Sequence, residues 1–567
     1  MENYQRIKTN VPEGIEKRKA YLVGGGIASL AAAFYLMRDG HMPGKNITIF
    51  EKLDIEGGSM DAAGDPEHGY VCRGGRELES HYECTWDLFG EIPSLEKEGF
   101  SVLDEFKELN DKDPNSSNCR LLRNCGEKIN LDDLGLTHEH IKKITNLFLA
   151  KEEDLDNVTI EQFFDPSFFE TNFWRLWYSM FAFNPWHSVL EMKRYMERFI
   201  HAFPGFAKMD CLVFTKYNQY ESFILPLTKY LKENGVNFEY KTDVKDLDIE
   251  IIGKQKTVTG IHLVRDGQTK EHIDVLPRDL VMVTNGSMTE CTGYGDFDKV
   301  PELIREPGSV WTLWENIAKN SPDFGHPKKF CGDIDKSKWE SFTITCKKSK
   351  LTDKIHELSG RDPFAKHKTV TGGVITMTDS NWLMSVTCNR QPQFKDQPDD
   401  IVVLWAYGLM LEKEGNYIKK KMQDCTGKEL LEELLYHLGL EKDIPEILKT
   451  VKVIPTMMPY ITAQFMPRAK GDRPEVVPEG SVNLAFLGQF AEIPGDVIFT
   501  VEYSIRSAMI ATYKLLNINK QPPIVYPSQF DIRVVARSMK ALNSGKPLPG
   551  EGFVEKLLKG TNYEGLI

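Results

Sequence analysis

Gly24, Gly25 and Gly26 stand between two stretches of opposite character, and that placement is suited to holding a ligand. Before them the apolar run 20–23 reads as a strand, and after them the Ala/Leu-rich run 28–37 reads as a helix. A second strand is predicted over 46–50, and Glu51 follows it directly. Gly24 permits the tight turn, and Gly26 lets the backbone approach a pyrophosphate. The first turn of the helix, with Ala28, offers that anion free N–H groups and a positive dipole. Ser29 takes the third small position, where close helix–strand packing needs only a small side chain. Glu51 stands where an acid can accept from ribose hydroxyls. The chemistry implied is dinucleotide binding; the alternative is a glycine turn in an ordinary βαβ unit.

Two other side chains are of types that can move protons. Glu83 lies in the first turn of a helix predicted over 80–89. An acid there is first of all a partner of the helix dipole. Tyr195 falls on the apolar face of a helix predicted over 187–203, with Met192, Met196, Phe199, Ile200 and Phe203 at helical spacing. A buried tyrosine places its hydroxyl on a backbone carbonyl or in a cavity.

The elements that must position these residues can be read along the chain. Glu56-Gly-Gly-Ser59 and Arg73-Gly-Gly-Arg-Glu77 follow the nucleotide unit. In flavoproteins with two dinucleotide-type domains such stretches run past the flavin's phosphates and ring; the alternative is two surface turns. Eleven aromatics crowd residues 163–186, a packed helical core or a wall for a long apolar ligand. A strand is predicted over 236–244; in flavoproteins a residue placed like Val244 reads adenine through its backbone. The apolar strand 279–287 resembles one that returns to a nucleotide domain after an antiparallel insertion. Alternation over 382–389 predicts a strand with Thr387 and Asn389 on one face, beside a second strand over 401–407. A late strand over 484–490 and a helix over 497–513 carry Thr500 and Ser504, one helical turn apart. In the tail, 531–540 and the partly basic amphipathic piece 553–559 suggest packing on a partner subunit, with contact to a membrane surface as the alternative.

The chain has 567 residues, more than one hydrophobic core holds, so two or three domains are expected. A net charge of −13 argues against a nucleic-acid partner. Ten cysteines without a CxxC pair indicate neither a zinc site nor a disulfide framework. No apolar leader opens the sequence and no run is long enough to span a bilayer, so a cytoplasmic protein with reduced thiols is expected.

Together, the Gly24–Ser29 turn, Arg73-Gly-Gly-Arg76, Tyr82-Glu-Cys-Thr-Trp-Asp87, Lys216-Tyr-Asn-Gln-Tyr220, Thr387-Cys-Asn-Arg-Gln-Pro392 and Leu487-Gly-Gln-Phe490 resemble the bacterial oleate hydratases, the myosin-cross-reactive antigens. The likeness runs over nearly the whole chain. It implies an α/β protein, α+β overall, with a discontinuous Rossmann-like FAD-binding domain, an inserted substrate-binding domain and a helical C-terminal tail. The expected division is an arm over 1–19, the FAD domain over 20–105, 210–300 and 478–515, the substrate domain over 106–209 and 301–477, and the tail over 516–567. The family binds FAD, is usually a homodimer, and adds water across the cis-9 double bond of free unsaturated fatty acids to give 10-hydroxy acids.

By the same resemblance, Glu83 matches the water-activating glutamate and Tyr195 the proton-donating tyrosine. Gln219, Thr387 and Asn389 match residues that hold the substrate carboxylate. Gln393 stands where some members carry histidine; an amide there can donate a hydrogen bond but cannot carry charge. The cofactor set expected is Gly24, Gly26, Ala28, Ser29, Glu51, Ser59, Arg73, Gly75, Tyr82, Val244, Ser287, Gly488, Thr500 and Ser504, with no metal. Two other functions are compatible with the architecture: an FAD-dependent oxidoreductase of the desaturase or amine-oxidase type, and a lipid-binding surface protein.

Overall fold

Two sheets frame the site. The first is parallel throughout, in the order Leu484–Leu487, Leu280–Thr284, Ala20–Val23, Ile47–Phe50, Asn237–Glu239. Its central strands are buried on both faces and therefore carry continuous apolar runs. The computed structural model describes residues 8–546. Helix Ile27–Arg38 crosses from the first strand to Ile47–Phe50 and packs against helix Val501–Leu515. Ala31, Ala32 and Ala33 are fully buried there, and their small side chains let this helix sit in a crowded core. This is the Rossmann-like arrangement that the glycine turn predicts.

The second sheet has eight strands, in the order Gly293–Tyr294, Val451–Met458, Trp339–Lys347, Ile401–Gly408, Ser385–Thr387, Ile375–Met377, Leu121–Arg123, Glu127–Lys128. A separate antiparallel sheet, Thr242–Ile252, Gln255–Arg265 and Thr269–Asp274, is inserted before the parallel strand Leu280–Thr284. In the tail, helix Ile532–Leu542 is tied down where Ser538 Oγ donates to Ile200 O at 2.6 Å. The piece at 553–559 lies outside the described residues.

Several predicted elements take different bounds, each for a local reason. The single helix expected over 187–203 is a helix Val189–Arg198 followed by a 3₁₀ stretch Ile200–Gly205. Pro204 has no N–H and disfavours helical geometry in the residue before it. The strand expected over 236–244 is two strands in two sheets, because Lys241 adopts φ 51° and turns the chain between them. The strand over 382–389 shortens to Ser385–Thr387, after Leu383 at φ 48°. The helix over 80–89 begins at Glu83, and that over 497–513 begins at Val501 with Thr500 as its N-cap. The aromatic run is mostly core: Phe168, Phe173, Trp174 and Trp177 are buried, while Phe181, at the end of helix Asn172–Phe181, reaches a cavity.

Candidate active site

A cavity of about 560 Å³ runs from the carboxyl ends of the parallel strands to the face of the eight-stranded sheet. That is within the range of small-molecule sites. Its first end is the glycine turn, with Gly24, Gly26 and Ala28 on the wall. Gly24 has φ 94°, which favours glycine. A Cβ on Gly25 would stand 2.7 Å from Glu51 Oε2, which accepts from the Gly25 N–H at that distance. Glu51 Oε1 accepts from Leu53 N at 2.8 Å, so each carboxylate oxygen keeps a lone pair for a hydroxyl. Helix Ile27–Arg38 starts at Gly26 without a side-chain cap, leaving its first N–H groups for an anion. Ser59, Val244 and Ser287 line the same end. Gly488, Thr500 and Ser504 line it from the late strand–helix unit, where Gln489 Nε2 donates to both Thr500 O and Ser504 Oγ at 2.8 Å. Ser29 is not on the wall: it is fully buried, its Oγ 3.2 Å from Thr284 Oγ1, and it packs the helix on the strand.

Arg73 and Gly75 also line the cavity, but the Arg73 guanidinium is engaged by Asp61, by the Gly58 carbonyl and by Thr289 O at 3.3 Å. Both arginines of the pair line this cavity and a small crevice beside it, but Arg76 has no carboxylate partner among the described residues. It donates to Ser59 O. Burial and the neighbouring Arg73 lower its pKa to about 10, so it is cationic at neutral pH.

The other end of the cavity is apolar, walled by Phe181, Phe199, Phe203, Phe206, Trp339 and Trp405. Tyr195 is in this wall, its hydroxyl donating to Ile498 O at 2.6 Å. Burial raises its pKa well above the ordinary tyrosine value. Its helix is anchored by Glu191, whose Oε1 lies 2.7 Å from Arg468 and 3.1 Å from Arg473. Tyr82 lines the cavity as well.

Glu83 is not on the cavity wall. Its carboxylate lies 3.7 Å from His81 Nδ1, and that imidazole holds it below the usual glutamate range. Glu83 is the acid in the first turn of its helix, as expected, but the hydrogen bonds at that helix start go to the buried Glu502, which accepts from Cys84 N at 3.0 Å, Thr85 N at 2.9 Å and Thr85 Oγ1 at 2.9 Å. His81 in turn meets His201 edge to face, and His201 Nε2 lies 3.1 Å from Glu79. The structure therefore does not bring Glu83 and Tyr195 onto one wall.

The four residues expected at a carboxylate separate. Gln219, Asn389 and Gln393 line the crevice, of about 20 Å³, together with Arg76 and Arg390. Gln219 also lines the main cavity, and its buried Oε1 is without a partner among the described residues. Thr387 is behind them: it is buried and donates to Asn389 Oδ1 at 3.0 Å, while Asn389 Nδ2 donates to Gly75 O at 2.6 Å.

Sequence reasoning gave Glu77 no role of its own. It lines the cavity, its Oε1 has no partner among the described residues, and burial lifts its pKa to about 7. Its position one residue after Arg76 was the available signal.

Among curated proteins, the chain is 45% identical to an oleate hydratase of Streptococcus pyogenes serotype M49 over 99% of both chains. It is 34% identical to a linoleate hydratase of Lactiplantibacillus plantarum over 88% of this chain and 94% of that one. Among solved structures, an oxidoreductase from Methanosarcina mazei superposes with TM-score 0.49 at 15% identity, over 87% of this chain and 99% of that one. The model of the MCRA family matches residues 17–513, and with it the resemblance read from the motifs is borne out: the chain belongs to the MCRA family.

Proposed function

We propose that the protein adds water across the cis-9 double bond of free unsaturated fatty acids such as oleate, giving 10-hydroxy fatty acids without net redox change. The observation that carries this reading is one continuous cavity with a nucleotide cradle at one end and an aromatic-walled chamber containing Tyr195 at the other. The hydratase names of two long-aligning relatives support it.

FAD fits the cradle, because an uncapped helix start, Glu51 and the glycine turn offer what its pyrophosphate and ribose need. The net reaction moves no electrons, so the flavin supplies a shaped, charged surface rather than redox chemistry. The chain's own residues do the rest. Arg76, with Gln219, Asn389 and Gln393, binds the carboxylate of the fatty acid at the crevice. The apolar wall takes the acyl chain and excludes water. Tyr195 gives its phenol proton to one alkene carbon, leaving its bond to Ile498 O. Glu83 takes a proton from the attacking water, and for this its side chain turns from His81 into the cavity. The turn breaks no helix cap, because Glu502 holds the helix start. A phenol is a weak acid and an alkene a very weak base, so proton delivery and attack by water proceed nearly together, with no free cation.

The parallel sheet and late helix then form the cofactor domain, and the eight-stranded sheet with the aromatic helices forms the substrate domain. Homodimer assembly, a cytoplasmic location and membrane-lipid contact through the tail belong to the same reading. Sedimentation and vesicle flotation of the full chain test assembly and lipid contact. The decisive experiment is mass spectrometry of oleate incubated with FAD-loaded protein in heavy-oxygen water. A hydroxy acid carrying the label is expected. Oxygen uptake or flavin bleaching on adding oleate would instead indicate the oxidoreductase. Binding of oleate without any product would indicate a lipid-binding protein.

A further inference from the structure

We propose that Asp248, His262 and His272 form a binding site for a divalent transition metal, with zinc as the fitting ion. The site lies on the inserted antiparallel sheet, and each of its three strands supplies one ligand. Asp248 is on Thr242–Ile252, His262 on Gln255–Arg265 and His272 on Thr269–Asp274. His262 and His272 are direct cross-strand partners, and Asp248 is opposite Gly260. The three side chains converge: Asp248 Oδ1 is 2.9 Å from His262 Nε2, and Oδ2 is 3.0 Å from His272 Nε2. The donor atoms all lie within 4.8 Å of one another. Zinc bonds to imidazole nitrogen and carboxylate oxygen are about 2.0–2.2 Å, so small side-chain rotations bring all three onto one ion.

Two further observations point to a built site rather than a chance surface cluster. A Cβ on Gly260 would stand 2.4 Å from His272 Nε2 and 2.5 Å from Asp248 Oδ2. Glycine inside a strand weakens it and marks a place where something approaches the backbone closely; here it clears the space for the ligand atoms. His272 also keeps its second nitrogen near a carboxylate, Nδ1 lying 3.5 Å from Asp274 Oδ1. A carboxylate behind a ligating histidine is the usual device for fixing its tautomer and orientation. The side chains of His262, His272 and Asp248 are 45%, 40% and 50% exposed, which leaves water to complete a tetrahedral shell.

The position suggests a structural role. Strand Thr269–Asp274 is at the sheet edge, and its residues are exposed apart from the half-buried Ile273. It gains little from apolar burial, so an ion bridging it to both neighbouring strands is an economical way to hold it. Proton release on binding makes affinity fall at low pH.

The test uses the full chain with its flavin, stripped with a chelator and then titrated with Zn²⁺ alone by calorimetry. One saturable site is expected, lost or weakened at least tenfold in both His272→Ala and Asp248→Asn. Amide exchange over 269–274 slows with Zn²⁺ in the wild type and is insensitive to it in both variants. Co²⁺ provides a second readout, because nitrogen and oxygen ligands give no thiolate charge-transfer band. Equal binding in the variants, a thiolate band, or no saturable binding up to about 1 mM, the affinity of an incidental contact, would each overturn the proposal. His201→Ala removes a ligand from the other histidine cluster and leaves the proposed site intact.

Discussion

Tyr526 lies flat on His81, with ring centroids 3.5 Å apart and planes within 2° of parallel. Tyr526 belongs to the segment beyond residue 513, where the family match ends, yet its partner is two residues from Glu83. Ser528, from the same segment, lies 3.3 Å from His201 Nδ1. This segment thus braces the imidazole beside the Glu83 carboxylate, the proposed acceptor of a proton from water.

His81 holds the Glu83 carboxyl low, and a base must be ionised to act. His81→Ala is therefore expected to move the acidic limb of the kcat/KM–pH profile, which reports the free enzyme, to higher pH. Tyr526→Ala moves it part of the way and loses about 1 kcal/mol of stability with the stack. Tyr526→Phe restores both. An unmoved limb in His81→Ala would separate the imidazole from the chemistry.

Glu77 carries a stability signature. Its folded pKa, about 7, is above the ordinary value of 4.5, so the folded state holds a proton that the unfolded state releases. Its contribution is fully present below about pH 4.5 and is lost as pH rises towards 7, with nothing further lost above. Relative to Glu77→Gln, the wild type should lose up to about 1.4 kcal/mol per pH unit across that window. Urea titrations of both proteins between pH 5 and 8 measure it.

Glu502 is the buried cap of the helix that Glu83 begins, and it also pairs with Arg506 at 2.8 Å. Glu502→Ala leaves three donors at the helix start without their acceptor and Arg506 with Asp496 as its remaining carboxylate partner. A loss of about 3–5 kcal/mol in equilibrium unfolding is expected, together with loss of hydration activity as the start of the helix frays.

In the proposed carboxylate site Arg76 supplies a charge that Gln393 cannot, while Arg73 and Arg390, also on the crevice, face Asp61 and Asp113. Arg76→Ala should raise KM for oleate about 10–100-fold, the worth of one charge-assisted hydrogen bond, with a much smaller effect on the methyl ester. A KM raised equally for acid and ester would place the carboxylate elsewhere.

Net hydration needs no electrons, so protein reconstituted with a redox-inactive flavin analogue should still give labelled hydroxy acid. Protein without any flavin should give little. Product formed only with stoichiometric consumption of an oxidant would contradict the proposed reaction.

Features encoded over short distances were legible in the amino-acid order alone. A glycine turn between a strand and a helix is encoded within a few residues of Gly24, because steric limits on φ and the helix dipole act locally. The burial of Tyr195 follows from helical periodicity. Helix, strand and turn bounds shifted wherever a single residue, such as Pro204 or Lys241, set local geometry. The tertiary structure decided which charges meet. Glu502, 418 residues from Cys84, supplies the hydrogen-bonding cap of the helix that Glu83 begins. Arg73 is paired with Asp61 while Arg76, on the same crevice, is not, and Asp248, His262 and His272 converge from three strands. Which polar groups pair depends on close approach in a desolvated interior, and sequence spacing carries no record of that approach.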